Sequence, residues 1–63
     1  MQHFYRSNIW KGMTVDVIQK ADQPTGKTTR GEVRRILTKS GYHPRGIKVE
    51  LRGGCVGRVQ NIH

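Results

Sequence analysis

The fold turns on the stretch His43-Pro44-Arg45-Gly46-Ile47-Lys48-Val49-Glu50-Leu51-Arg52-Gly53-Gly54. A turn dipeptide leads into strict alternation, with Ile47, Val49 and Leu51 on one side and Lys48, Glu50 and Arg52 on the other. Period two is the pattern of a strand with one buried and one wet face. Gly53-Gly54 then reverses the chain, and Val56 and Val59 bring a second strand back against the first. A two-residue Gly53-Gly54 loop sets Leu51 opposite Val56 but Val49 opposite Arg58, an apolar residue against a charge. One extra residue between Cys55 and Gly57 restores Val49 opposite Val59. It also sets Glu50 opposite Arg58, an opposite-charge pair on the solvent face. A bulge at Gly57 is therefore expected.

Upstream of this hairpin, Met13 to Lys20 reads as a first strand, with Met13, Val15 and Val17 on one face and Thr14, Asp16 and Ile18 on the other. Lys20 to Arg30 is polar, contains Pro24 and Gly26, lacks periodicity and reads as an exposed loop. Glu32 to Thr38 reads as a second strand. Val33 and Ile36 stand three apart and cannot share a face of a regular strand, so a bulge or sharp bend is expected, eased by Gly31. Lys39 to Gly46 is a second basic loop, followed by strands over Ile47–Arg52 and Cys55–Asn61. Before the first strand lie three of the four aromatics, Phe4, Tyr5 and Trp10, with Tyr42 the other. Ser7 or Asn8 is a candidate cap for a short helical turn ended by Gly12. In so small a domain these aromatics are expected to cover the core, with stacking on bases as the alternative.

Sixty-three residues make one domain, 1–63, with 1–12 as an N-terminal extension packing on or near a thin core. The expected fold is all-β: a small, strongly bent antiparallel barrel of four to five strands. Cys55 is the single cysteine, so an internal disulfide is impossible and a reducing, cytoplasmic setting is expected. No apolar run has the length of a membrane span or signal peptide, so no membrane partner is expected. Twelve Lys and Arg against four Asp and Glu give a net charge of +8. That balance on a small surface points to a polyanionic partner, nucleic acid being the commonest.

Other chemistries find little support. Gly26-Lys27-Thr28 lacks the earlier glycine of a phosphate loop, since position 21 is Ala21, and no helix signal follows it. His3, His43, His63 and Cys55 do not have the paired spacing of zinc ligands, so no metal or other cofactor is expected. Asp16, Asp22, Glu32 and Glu50 form no cluster for acid–base work, so no catalytic residue is assigned and no enzyme is expected.

The strand spacing resembles the SH3-like barrels, in particular KOW-type modules. Those begin with glycine and a Val-x-Val strand, as in Gly12-Met13-Thr14-Val15-Asp16-Val17, and continue with Gly-x-Val, as in Gly31-Glu32-Val33. Further matches are Asp22-Gln23-Pro24-Thr25-Gly26, Thr29-Arg30-Gly31-Glu32-Val33, Ile36-Leu37-Thr38, His43-Pro44-Arg45-Gly46-Ile47-Lys48-Val49 and Val56-Gly57-Arg58-Val59. Together these resemble the YwbE-type family of small uncharacterised microbial proteins, over roughly residues 9 to 62. The resemblance implies a single domain that stands alone and supplies no catalytic residues.

The function expected from these residues is nucleic-acid binding through phosphate contacts, with RNA favoured over DNA and a ribosomal or ribonucleoprotein setting. The candidate contacts are Lys20, Lys27, Arg30, Arg34, His43, Arg45, Lys48 and Arg58. Arginine suits this task because its fork grips phosphate and its plane stacks on bases. The alternative is a protein-interaction module that offers an exposed strand edge and binds no nucleic acid. A monomer is the default oligomeric state.

Overall fold

The computed structural model describes residues 4–63, so His3, weighed above as a metal ligand, lies outside the described residues. Four strands, β1 (Thr14–Gln19), β2 (Thr29–Ile36), β3 (Lys48–Leu51) and β4 (Val56–Ile62), pair antiparallel in chain order. β4 then returns to β1 and closes the sheet into a barrel, the all-β architecture expected. Among the described residues, helical structure is confined to short 3₁₀ segments such as Arg6–Asn8 and Lys20–Asp22.

The alternation that builds the strands also fills the barrel. Val15, Val17, Val33, Ile47, Val49, Leu51 and Val59 point inward and are buried, joined by Ile9 from the segment before β1. β-branched side chains dominate, as suits a pleated surface with one face covered. Burying each such side chain contributes about 1.5–3 kcal/mol. Two register shifts supply the bend that four short strands need in order to close. One falls between Val33 and Arg35 on β2, where the spacing of Val33 and Ile36 led us to expect it. The other lies where Asp16 faces Asn61 but Val17 faces Val59, leaving Gln60 as an extra residue on β4.

The register of the β3–β4 hairpin differs from expectation. Val49 stands opposite Gly57, Glu50 opposite Val56 and Lys48 opposite Arg58. The Leu51 N–H donates to the Cys55 carbonyl at 2.7 Å, so the loop is the three residues Arg52-Gly53-Gly54 and no bulge occurs at Gly57. The physical reason is space. Gly57 occupies an inward position where β1 and β4 lie so close that a Cβ would sit 2.7 Å from the Ile18 carbonyl oxygen and 2.8 Å from Val17 Cγ2. Glycine opposite Val49 is therefore what lets the seam close, and Val59 fills the next inward position.

Three further readings are corrected. β2 begins at Thr29 rather than Glu32, because Thr29 and Arg30 already pair with Val17 and Asp16. The helical turn Arg6–Asn8 has Tyr5, not Ser7 or Asn8, at its N-cap and ends at Ile9. Gly12, at φ 91°, instead sits in the turn closed by the Met13 N–H on the Trp10 carbonyl. Asp16, on the face opposite Val15 and Val17, is only 8% exposed. Arg30 Nε donates to its Oδ1 at 3.0 Å, and His63 Nε2 lies 2.8 Å from Oδ2.

The hydrogen bonds from Arg30 and then His63 hold the Asp16 carboxyl at about 2, against the opposing pull of burial. A carboxyl lowered on folding adds stability above its ordinary value near 3.8, lost as pH falls toward about 2. Urea midpoints measured from pH 5 downward should fall through that window in the wild type and fall less steeply in Asp16→Asn. Gly57→Ala should lower stability by about 1–3 kcal/mol at neutral pH, from the forced separation of β1 and β4. Urea unfolding followed by circular dichroism measures it.

Candidate functional site

The four carboxylates decide where positive charge is left uncompensated. Asp16 holds Arg30, Glu50 accepts from Arg35 Nε at 2.9 Å, and Glu32 lies 3.3 Å from Arg52 Nη1. The exposed Glu32–Arg52 pair contributes at most about 1 kcal/mol. The larger effect of all three pairs is to commit three arginines and three carboxylates to one another. Asp22 remains, in the β1–β2 loop, where its carbonyl accepts from the N–H groups of Thr25 and Gly26.

The opposite outcome holds on the outer face of β1, β4 and β3. Ile18, Arg58 and Lys48 form one row across the three strands, since Arg58 stands opposite Ile18 on one side and Lys48 on the other. Like charges directly opposite in a sheet are destabilising, by roughly 0.2–1 kcal/mol. Glu50, two residues along from Lys48, is turned to Arg35 on β2 and does not relieve them. Among the described residues, Lys20, Arg45, Lys48 and Arg58 enter no ion pair.

The turn before β3 completes this face. The Gly46 N–H donates to the His43 carbonyl at 3.1 Å, and Gly46 takes φ 99°, a conformation glycine adopts readily. Two β4 side chains clamp the turn. Gln60 Nε2, from the bulge, donates to the Arg45 carbonyl at 3.2 Å, and Arg58 Nη1 donates to the Gly46 carbonyl at 3.3 Å. The half-buried Arg58 guanidinium is thus oriented with donors to spare. It forms the wall between two shallow concavities. Ile18, Gln23, Arg45 and Gln60 complete one; Lys20, Lys48, Val56 and Gly57 extend the other, again beside Ile18 and Gln23. No carboxylate lines either.

His43 borders the same cluster. Its Nδ1 accepts from the Arg45 N–H at 3.1 Å, so in the neutral ring the proton sits on Nε2. Burial, then Arg58, then Arg45, each push its pKa below the ordinary histidine value. The imidazole is a neutral donor at neutral pH, in a field that an arriving anion would offset.

Of the eight candidate contacts, Lys20, His43, Arg45, Lys48 and Arg58 come to this one face. The other three lie apart from it. Lys27 is exposed in the β1–β2 loop, and Arg30 is engaged by Asp16, which raises its pKa further. Arg34 lines a separate and larger concavity with Lys11, Glu32 and Arg52, where the Glu32–Arg52 pair already balances part of the charge. Two amides not singled out in the sequence, Gln23 and Gln60, belong to the face. Gln23 carried a weak signal as part of a turn tetrapeptide; Gln60 carried none, because only the bulge directs it to Arg45. Cys55 is half-buried, and no group of three His, Cys, Asp or Glu among the described residues is placed to hold a metal ion. Among the described residues no helix is long and apolar enough to cross a membrane. The arrangement offers a guanidinium fork, an ammonium and amide N–H groups around shallow hollows, a chemistry suited to phosphate oxygens.

Residues 2–62 match the family model described as "Uncharacterized conserved protein (DUF2196)". The uncharacterized protein YwbE of Bacillus subtilis (strain 168) is 60% identical over 57 residues, covering 90% of this chain and 88% of that protein. No solved structure matches. The chain belongs to the DUF2196 family, to which the motifs quoted above had pointed.

Lys48→Gln removes one member of the like-charged pair without touching the core. Its unfolding free energy in urea titration should equal or exceed that of the wild type, by up to about 0.5 kcal/mol. A loss of stability would show that Lys48 has a structural partner instead.

Proposed function

We propose that this member of the DUF2196 family is a small nucleic-acid-binding protein that holds the phosphate backbone of RNA on the face built from Lys20, His43, Arg45, Lys48 and Arg58. The observation that carries the reading is the Lys48–Arg58 juxtaposition, two cations opposed across a ladder within hollows that contain no carboxylate. A fold gains nothing from that repulsion, whereas a bound phosphate relieves it. The net charge of +8 adds long-range attraction for any polyanion. Arginine and the neutral Nε2–H of His43 supply directed donors, and lysine supplies a mobile point charge. A cytoplasmic, ribonucleoprotein setting is part of the same reading.

Strand addition by a protein partner receives less support. Closure of β1 onto β4 gives every named strand a neighbour on both sides, which removes the open edge that such a partner needs. No catalytic group is assigned.

If about four phosphates are neutralised, affinity for mixed single-stranded RNA should fall roughly 50-fold between 50 and 200 mM salt. Anisotropy titration measures it, and absence of salt-sensitive binding at low salt would sink the proposal. Replacing Arg45, Lys48 and Arg58 together by alanine should weaken binding at least tenfold and reduce the salt slope by about two. The circular dichroism spectrum should be retained. Unchanged affinity would move the site elsewhere.

A further inference from the structure

The barrel is filled without a single aromatic ring: the buried core is Ile9, Leu51, Ile47 and valines. Phe4, Tyr5 and Tyr42 instead gather at one corner. Tyr5 and Tyr42 form an isolated antiparallel bridge. It is flanked by the Arg6 N–H on the Gly41 carbonyl (2.8 Å) and the His43 N–H on the Phe4 carbonyl (2.9 Å). That arrangement makes the two tyrosines a non-hydrogen-bonded pair, the kind whose side chains approach most closely on one face. Their ring centroids are 5.1 Å apart at a tilt of 55°, and Phe4 meets Tyr42 edge-on at 6.2 Å. Held by two rings and a backbone bridge, Tyr42 nevertheless stays 48% exposed, and Tyr5 46%.

The corner adjoins the cationic face through one residue. His43 follows Tyr42 in the chain, donates its N–H to the Phe4 carbonyl and accepts at Nδ1 from the Arg45 N–H. Residues 4–10 and 37–47, which carry the corner, contain Arg6, Lys39 and Arg45 but no Asp or Glu. Fixed aromatic surface beside uncompensated cations fits a strand that shows both bases and phosphates. A duplex keeps its base faces stacked inside and offers only its backbone, whereas an unpaired strand presents π-faces that stack on tyrosine.

We propose that the Tyr5–Tyr42 pair is a stacking platform for an unpaired base, so that the ligand of the cationic face is single-stranded RNA. This deepens the nucleic-acid reading above and rests on it. The test uses the full chain, a labelled oligouridine of about twelve nucleotides and an RNA duplex of the same length, titrated by anisotropy at about 50 mM salt. The duplex has the higher charge density, so charge alone would favour it. The wild type should bind the single strand at least tenfold more tightly. Tyr42→Ala should weaken single-strand binding roughly tenfold, the loss of about one base stack. Duplex affinity and the salt dependence should stay unchanged, and Tyr42→Phe should bind like the wild type.

Equal wild-type affinity for both probes overturns the platform. So does single-strand affinity unmoved by both Tyr42→Ala and Tyr5→Ala. In either case salt-dependent binding leaves the phosphate reading standing; binding to neither probe overturns both. Should Tyr42→Ala fail to fold by circular dichroism, Tyr5→Ala and the wild-type comparison of the two probes decide.

Discussion

The close approach of β1 and β4 at Gly57 is the constraint on which the molecule depends. Small barrels have little interior, and this one is filled by aliphatic side chains packed around a seam with no room for one more methyl group. With glycine there, Val17 and Val59 meet and the sheet closes. With the register thereby set, Val49 must face Gly57, and every outward residue of the hairpin takes its place by consequence. Lys48 comes to oppose Arg58 because their inward neighbours must fit.

Charge is distributed by the same geometry. The strand pairings bring Asp16 to Arg30, Glu50 to Arg35 and Glu32 to Arg52, so that three of the few carboxylates are consumed on or beside β2. The hollows beside Ile18, Arg58 and Lys48 receive none. A basic composition scattered along the chain is thus converted into one side with balanced charges and one with a surplus, without any run of lysine or arginine in the sequence.

Much of this was legible beforehand, and the failures have physical causes. Strand alternation put Ile47, Val49 and Leu51 on one buried face and grouped Val15 with Val17, and all five are buried. The three-residue spacing of Val33 and Ile36 disclosed the β2 bulge. The hairpin register was misread because pairing logic weighs side-chain partners, Glu50 with Arg58, and cannot sense an empty space that must remain empty. The burial of Asp16 was not legible for a related reason: its partners Arg30 and His63 lie 14 and 47 residues away, and no local pattern announces them. The cationic face was half legible. Residue type named its arginines and lysines, but only the fold separates Arg58, free to act, from Arg30, engaged by Asp16. The aromatics ran against expectation, since aliphatic residues suffice for the interior and Trp10 is 59% exposed.

The seam also joins the most distant parts of the chain. The hairpins joining neighbouring strands close shorter loops, whereas the β1–β4 joint brings together residues about forty positions apart, such as Val17 and Val59. Loop-closure entropy grows with that separation, so this joint carries the largest closure cost of the four. Arg58 sits on it, opposite Ile18. The chain therefore carries all its positive charge from the start but acquires the arrangement of that charge only once this joint has formed. Anything bound across the seam would act as a stitch, holding shut the joint that its own binding face requires.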